Sequence, residues 1–308
     1  MSLERIGDTA PHNAFTDLVR WRDRLWCTYR EGAAHVSPDG ALRILVSPDG
    51  VNWSPAARIT SGRGDLRDPH FVVTPDDRLM LYGAVALPQP GPVRHQSLAW
   101  FSEDGIRWSD ATDLGEPNVW LWRIDWNGPQ ALGVGYDTAG EHFVRLYSGA
   151  GADGRIFKPL VQTLFSDGQP NEAGLAFLPD GTALCLLRRD GQPGTAQWGR
   201  SPPPYRDWTW RDLGVRIGGP QLLRLPDGRL VAGVRLYDGG ARTALCWLDP
   251  GAGALTEFLR LPGSGDCSYP GLVWWQDTLW VSYYASHEGA TRVYLARVRL
   301  PMAGPAKP

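Results

Sequence analysis

The stretch LAFLPDGTALCLL, residues 175–187, consists of two apolar runs joined by a Pro-Asp-Gly turn. An Asp-Gly step accepts the positive φ of a tight turn, so the stretch is predicted to be a β-hairpin. The same pattern of apolar run, polar turn and apolar run occurs six times along the chain. The six copies are LVRWRDRLWCTY (18–29), FVVTPDDRLMLYG (71–83), RIDWNGPQALGVGY (123–136), LAFLPDGTALCLL (175–187), LLRLPDGRLVAGV (222–234) and LVWWQDTLWVSYY (272–284).

The turns of these hairpins are evenly spaced, about 50 residues apart, which is within the range of the four-stranded blades of β-propellers. Their central residues are Asp23, Asp77, Gly128, Gly181, Gly228 and Asp277. We therefore predict an all-β, six-bladed β-propeller with four-stranded antiparallel blades. It is expected to form one domain over residues 1–300, followed by a Pro-rich C-terminal tail at 301–308.

The sixth repeat is one strand short. Its hairpin is followed by the strand TRVYLARVRL (291–300) and then only by the Pro-rich tail. An unclosed ring would leave two unpaired strand edges. We expect the N-terminal segment SLERIGD (2–8) to supply the missing strand and close the ring.

The composition is that of a globular protein. Hydrophobic residues make up 43% of the 308 residues and charged residues 21%, which is enough material for a buried core. The net charge of -2 and the lack of a Lys/Arg block argue against a nucleic-acid partner. No apolar run approaches the roughly 20 residues that span a bilayer, and the N-terminus lacks a signal-peptide pattern. We expect no membrane association and a cytoplasmic location.

The cysteines show no metal-site or redox pattern. Cys27, Cys185, Cys246 and Cys267 are far apart, without C-x-x-C spacing or a companion His cluster. Free cysteines are usually buried, so we predict four buried, reduced thiols. The sequence predicts neither a metal nor a cofactor.

Polar residues are predicted to collect at one rim of the ring. A hairpin returns to the edge it left, so the start of its first strand lies beside the end of its second. Counting back from the turns gives Phe15, Asp68, Val119 or Trp120, Glu172, Gly219 or Pro220, and Tyr269. Counting forward gives Arg30, Ala84, Tyr136, Arg188, Arg235 and Tyr284. One mouth of the central funnel is thus expected to carry these charges, and the other mouth only turns.

The charged set favours a binding site for an anion. Guanidinium groups and carboxylates are costly to bury unless they pair or meet a charged ligand. They could simply pair with each other and join neighbouring blades. Arg30, Arg188 and Arg235 around one cavity also suit a carboxylate, because each can donate two parallel hydrogen bonds. Convergence on one rim favours the functional interpretation.

Two segments resemble the sialidase superfamily. NEAGLAFLPDGTALCLLRRD (171–190) is similar to the family segment in which a catalytic Glu is followed by an active-site Arg sixteen residues later, which implies these roles for Glu172 and Arg188. SYPGLVWWQDTLWVSYY (268–284) looks like the family strand that carries the nucleophilic Tyr, here Tyr269. The preceding family Arg would be Arg242, with Arg235 as the competing candidate from the hairpin count. SPDGVNW (47–53) and SEDGIRW (102–108) resemble the Asp-box (BNR) turns of this superfamily but lack one residue between Asp and Gly.

The chain also departs from the family pattern. Ala14-Phe15-Thr16 replaces the family's first-blade Arg-Ile-Pro, so one of three carboxylate-binding arginines is missing, and Arg30 or Arg67 could substitute. The family's acid/base Asp has no clear counterpart in REGAAHVSPDG (30–40). Asp68 is the first candidate for this role and His35 the second, with Glu31 and Asp39 also available.

The resemblance implies a retaining exo-glycoside hydrolase for an acidic sugar. Glu172 would take the phenolic proton of Tyr269, whose oxygen attacks the anomeric carbon while an acid protonates the leaving oxygen. Arg188 with Arg242 or Arg235 would hold the anion, assisted by Arg30 or Arg67. An anionic carbohydrate is thus the expected partner.

Three alternatives stay open. A polysaccharide lyase for uronic acids could use Tyr269 or His35 to remove the C5 proton. A non-catalytic glycan-binding propeller could use Trp120, Trp122 and Tyr136 as stacking platforms. Arg67-Asp68-Pro69 resembles a motif of five-bladed glycosidases that act on fructans, but the count of six hairpins argues against that fold.

Overall fold

The computed structural model describes residues 1–150 and 154–301, which form six four-stranded antiparallel sheets. Each sheet is one blade, and the six blades confirm the predicted propeller. The first three are β2 (His12–Trp21), β3 (Arg24–Gly32), β4 (Ala41–Ser47), β5 (Ser54–Ile59); β6 (Asp65–Val73), β7 (Leu79–Ala86), β8 (His95–Ser102), β9 (Thr112–Leu114); and β10 (Val119–Asn127), β11 (Gln130–Asp137), β12 (Val144–Ala150), β13 (Ile156–Phe165).

The other three blades follow in chain order, except that the last one takes its outer strand from the N-terminus. Their strands are β14 (Pro170–Phe177), β15 (Ala183–Arg189), β16 (Gln197–Ser201), β17 (Thr209–Asp212); β18 (Ile217–Arg224), β19 (Leu230–Leu236), β20 (Arg242–Asp249), β21 (Ala254–Arg260); and β22 (Cys267–Trp275), β23 (Thr278–Ala285), β24 (Arg292–Val298), β1 (Ser2–Gly7).

The ring is closed as predicted. Strand β1 pairs antiparallel with β24, from Ser2 opposite Arg297 to Arg5 opposite Tyr294. Of the predicted C-terminal tail, residues 302–308 lie outside the described residues. No helix in the described part of the chain is long and apolar enough to cross a membrane.

The core lies between the blades. Each apolar cluster draws on neighbouring sheets, as where Leu184 and Leu186 of β15 belong to the same cluster as Ala232 and Val234 of β19. The four cysteines are free and buried, as predicted.

The hairpin turns adopt the backbone conformation that the sequence predicts. All six central turn residues have positive φ, including the non-glycine residues Asp23 (56°), Asp77 (59°) and Asp277 (52°). The turns therefore fix where each inner strand begins and ends, and with it the rim at which the polar side chains emerge.

Each innermost strand carries a β-bulge near its start. In five blades two inner-strand residues oppose one residue of the second strand, and in β10 the extra residue is Trp122. Bulges bend a strand and re-aim a side chain. The bulged positions are Phe15-Thr16, Asp68-Pro69, Trp122, Asn171-Glu172, Gly219-Pro220 and Tyr269-Pro270.

The far end of the axis differs from the expectation that it holds only turns. A recess of about 280 Å³ there is lined by Arg123 and Asp125 among apolar residues such as Val19 and Leu175. Burial raises the pKa of Asp125 to about 6, with a hydrogen bond from Trp126 and the charge of Arg123 opposing it. The count from the turns missed these groups because they lie within β10 and not at its start.

Candidate active site

Tyr269, Glu172 and Arg188 form one hydrogen-bonded centre at the predicted mouth. The hydroxyl of Tyr269 donates to Glu172 Oε1 at 2.6 Å. Arg188 Nη1 lies 2.8 Å from the same carboxylate oxygen and 3.1 Å from the tyrosine oxygen. Three strands of two non-adjacent blades, β14 and β15 of one and β22 of the other, thus bring together a phenol, a base and a cation that are 97 residues apart or less in sequence.

The bulges hold this centre in place. Glu172 and Tyr269 both lie at bulged positions, and Tyr269 has a φ of 51°. Gly219, at the bulge of the blade between them, donates its N–H to Glu172 Oε2 at 2.8 Å. A Cβ at Gly219 would lie 2.9 Å from Cγ of Tyr269, so only glycine fits. Arg188 is fixed from its other side by Asp190, at 2.9 Å.

The centre keeps Tyr269 protonated at rest. Burial raises the pKa of Tyr269 well above its ordinary value, and the charge of Glu172 adds to this, while Arg188 opposes it. A neutral phenol is a weak nucleophile unless a base removes its proton. Glu172, already bonded to that proton, is in position to do so.

Arg235 lies against the same tyrosine. Its guanidinium carbon is 5.3 Å from the centre of the Tyr269 ring, and its Nε donates to the carbonyl of Cys267 at 2.7 Å. Its Nη2 donates to Tyr284 Oη at 3.1 Å and to Asp266 Oδ1 at 3.0 Å. The hairpin count, which placed Arg235 at this mouth, agrees with the structure.

Arg67 occupies the space over Phe15, where the family's first-blade arginine is missing. Its guanidinium carbon is 5.2 Å from the Phe15 ring centre. Its Nη1 donates to the carbonyl of His35 at 2.8 Å and to Asp65 at 3.1 Å. Of the two candidates to replace the missing arginine, Arg67 is the one that lies beside Phe15, whose ring contacts that of Tyr269.

Arg30 and Arg242 are engaged elsewhere. Arg30 is fully buried, and its donors bond Asp65, the carbonyls of Ala34 and Ser37, and the Ser37 hydroxyl. It therefore anchors the loop after β3. Arg242 pairs with Glu257 on β21, the outermost strand of its blade, so the structure does not group it with the central set. Strand β20, which carries Arg242, is the third strand of its blade and lies away from the axis.

Asp68 is a buried carboxyl whose proton is held near neutral pH. Burial raises its pKa to about 7; the charge of Arg67 opposes this, and that of Glu172 adds to it. Arg67 Nε is 3.7 Å from its Oδ2, and no described residue donates a hydrogen bond to it. A carboxylic acid with such a pKa can both give and take a proton at physiological pH.

His35 lies at the rim beside the centre. Its ring contacts Phe15 edge-on at 5.1 Å between centroids, and its Nδ1 is 2.8 Å from Asp266 Oδ2. The side chain is half exposed. It forms a cluster with His12 and Asp266 rather than with Glu172 and Tyr269.

An aromatic wall flanks Tyr269 on the side of blade 3. Trp120 and Tyr136 stack with their ring planes 11° apart, and Trp122 contacts Tyr269 edge-on at 5.9 Å. The inner-strand position of blade 3 is Trp122, whereas the count from the turn gave Val119 or Trp120. The discrepancy arises because in this bulge one inner-strand residue has no residue opposite it, instead of two residues opposing one, and the bulge lies nearer the turn.

Sequence reasoning missed several residues that hold the site. Asp65, Asp190 and Asp266 pair with Arg30, Arg188 and Arg235, respectively. They lie at strand starts or in loops next to the counted positions. The available signal was an acidic residue at or next to a strand end, close to an arginine of the same or the neighbouring blade.

Comparisons with known proteins bear on the fold. No family model matches the chain, and no curated protein matches it. Among solved structures, a protein of unknown function from Dyadobacter fermentans has 19% identity and a TM-score of 0.78, over 97% of this chain and 99% of that one. An α-L-arabinofuranosidase from Fusarium graminearum has 16% identity and a TM-score of 0.77, over 97% and 98%. The sialidase of Trypanosoma rangeli has 11% identity and a TM-score of 0.68, over 96% of this chain and 57% of that one.

The chain shares its propeller fold with these structures. At 11–19% identity the likeness concerns the fold alone. The two named enzymes are glycoside hydrolases with different substrates by name, so the shared propeller does not decide which sugar such a protein takes.

Proposed function

We propose that this sialidase-like propeller is a retaining exo-glycoside hydrolase that acts on an acidic sugar. The observation that carries the proposal is the hydrogen-bonded centre of Tyr269, Glu172 and Arg188. A phenol bonded to a carboxylate and a guanidinium has its nucleophile, base and counter-charge already in place.

The reaction proceeds in two steps. In the first, the Tyr269 oxygen bonds to the anomeric carbon as its proton passes to Glu172, the glycosidic bond breaks, and Asp68 gives its proton to the leaving oxygen. In the second, Asp68 takes a proton from water, whose oxygen attacks the anomeric carbon. The bond to Tyr269 breaks, and the phenolic oxygen regains its proton from Glu172. Two inversions give net retention.

The arginines supply the preference for an acidic sugar. Arg188 and Arg235 contact Tyr269, and Arg67 lies over the neighbouring Phe15 ring. Each presents a planar guanidinium suited to a carboxylate. A neutral phenol nucleophile also suits such a substrate, because a carboxylate nucleophile would be repelled by a sugar that bears its own negative charge. The aromatic wall of Trp120, Trp122 and Tyr136 can contact the apolar face of the sugar.

The test is a panel of aryl glycosides of sialic, deaminated sialic and uronic acids, with an aryl α-L-arabinofuranoside as the neutral member. Wild type is compared with Tyr269→Phe. Tyr283→Phe is the matched control, since this buried phenol bonds the carbonyl of Pro262 and not the centre. We expect release of the aryl group from an acidic member, and a loss of at least about 100-fold in Tyr269→Phe but not in the control.

Other outcomes point elsewhere. Ultraviolet absorbance from a new double bond, without hydrolysis, would indicate a polysaccharide lyase and overturn the proposal. Saturable sugar binding that survives Tyr269→Phe, with no turnover, would indicate a glycan-binding propeller. Turnover of the arabinofuranoside alone would overturn the acidic substrate while leaving the hydrolase.

A further inference from the structure

Two histidines and an aspartate meet at the rim of the funnel, next to the Tyr269 centre but separate from it. His12 lies at the start of β2, His35 in the loop between β3 and β4, and Asp266 just before β22. One ligand atom from each lies within 4.8 Å of the others. These residues come from three separate segments, so no spacing in the sequence could reveal the cluster.

The donor atoms are close to the spacing of a metal's coordination sphere. His35 Nδ1 is 2.8 Å and His12 Nε2 is 3.7 Å from Asp266 Oδ2. Around a tetrahedral ion with bonds of about 2.1 Å, neighbouring ligands are roughly 3.4 Å apart. The two observed distances lie on either side of that value, and no two of the three ligand atoms are more than 4.8 Å apart, so a shift of the imidazoles would bring all three onto one ion.

His12 is the buried member of the cluster, and its ring has no hydrogen-bond partner in the described part of the chain. Its relative exposure is 7%, and neither of its ring nitrogens has a hydrogen-bond partner among the described residues. A buried polar group without a partner costs free energy, and such groups are rare in native proteins. A ligand bond from Nε2 to an ion beside Asp266 would satisfy it.

Asp266 is already oriented for this role. Its Oδ1 accepts hydrogen bonds from Arg235 at 3.0 Å and from Tyr284 at 2.9 Å. Its Oδ2 is directed at the two histidines. Ligating carboxylates in metal sites are commonly fixed in this way through their second oxygen.

We propose that His12, His35 and Asp266 bind a divalent transition-metal ion, for which Zn²⁺ is the first probe. Two imidazoles and one carboxylate suit Zn²⁺ and its neighbours in the first transition row, whereas Ca²⁺ and Mg²⁺ prefer oxygen ligands alone. His35 is half exposed, which leaves a coordination position open to water.

The ion would have two effects on the funnel. It ties the loop of His35, whose carbonyl accepts a hydrogen bond from Arg67, to blades 1 and 6. It also fixes Asp266, which in turn holds Arg235 against Tyr269. Added positive charge at this rim would favour an anionic ligand.

Metal-stripped full-length protein is titrated with Zn²⁺ by calorimetry, and the bound ion is counted by elemental analysis. We expect one ion per chain. His12→Gln and His35→Gln are each expected to weaken binding by at least about 100-fold, and Tyr284→Phe, which loosens Asp266, by about 10-fold. His142→Gln, at an exposed histidine outside the cluster, is the control and should bind as wild type does.

His35→Gln keeps the test valid if His12→Gln fails to fold, because half of the His35 side chain is exposed and its replacement disturbs little packing. X-ray absorption of the loaded protein should show two imidazole ligands and bonds of about 2.0–2.2 Å. The proposal is overturned if wild type binds no Zn²⁺ at micromolar concentrations, or if His35→Gln binds it as tightly as wild type does.

Discussion

Tyr269 and Asp68 keep their protons for the same physical reason, because burial disfavours the charged form of each side chain. The shift has a different consequence for each. The phenol stays neutral at physiological pH, and in the proposed reaction Glu172 is its base. Asp68, with a pKa raised to about 7, can act as an acid in one step and as a base in the next.

Asp68→Asn should change both the rate and its dependence on pH. The acid is present below a pKa of about 7, so wild-type activity should fall as pH rises through that value. In Asp68→Asn the rate should drop about 10²–10⁴-fold and this fall should disappear. Asp125→Asn is the control, because Asp125 is also buried with a raised pKa but lies at the far recess. A variant with an unaltered alkaline limb would remove Asp68 from the mechanism.

For individual residues, the sequence predicted part of the centre formed by Tyr269, Glu172 and Arg188. Tyr269, Glu172 and Arg188 were placed at one rim by their distance to the hairpin turns, and the structure brings them into contact there. Arg242 and Arg235 could not be separated by the motif alone, since a spacing in sequence does not distinguish the second strand of a blade from the third. Asp266 was missed because it lies in a loop, where strand periodicity carries no information.

The β-bulge near the start of each innermost strand positions the side chains of the candidate site, including Glu172 and Tyr269. Four bulged residues have positive φ: Phe15 (58°), Asp68 (45°), Gly219 (53°) and Tyr269 (51°). For a residue other than glycine this conformation costs roughly 1–2 kcal/mol. The hairpins were predictable from turn residues and apolar runs. The bulges were not, although Pro69, Pro220 and Pro270, which lack an N–H for the ladder, mark three of them.

Gly219→Ala tests the bulge directly. The new Cβ would lie 2.9 Å from Cγ and 3.2 Å from Cα of Tyr269, so the tyrosine has to shift from its present position beside Glu172. We expect kcat to fall by more than about 10-fold with the fold retained, since a displacement of about 1 Å at a reacting group can cost 100-fold.

The matched control for this variant is Gly239→Ala in the same blade. Gly239 also has a positive φ of 70°, but an added Cβ there meets no atom within 4 Å. An alanine at this position would have the same strained backbone conformation, but its Cβ would not contact Tyr269 or any other described residue. Equal activity losses in the two variants, measured with circular dichroism as the check on folding, would assign the effect to strain and not to displacement of Tyr269.

For the whole molecule, ring closure decides whether the six blades hold one funnel. Blade 6 combines β22, β23 and β24 with the N-terminal β1, which joins the two ends of the chain. The closure was predictable because the repeat is counted over the full chain and its last copy lacks one strand. The convergence of loops such as the one bearing His35 was not, because it depends on contacts between blades.

Deletion of residues 2–7 should therefore weaken the entire propeller. It removes the partner of β24 and leaves an exposed strand edge, which favours aggregation. We expect the melting temperature to fall by at least several degrees, in thermal unfolding followed by circular dichroism, and soluble oligomers to form in size-exclusion chromatography. An unchanged melting temperature would show that β1 does not hold the ring closed.

The most direct test of the Tyr269 nucleophile is to trap its glycosyl adduct. Wild type and Tyr269→Phe are incubated with 2,3-difluorosialic acid and with the corresponding fluorinated uronic-acid reagents, whose fluorine slows release of the covalent intermediate. Intact-mass and peptide analysis should find one glycosyl unit on the peptide that contains Tyr269, and none in the variant. Wild type that hydrolyses an acidic glycoside but forms no adduct, or forms one on Glu172 or another residue, would contradict a tyrosine nucleophile.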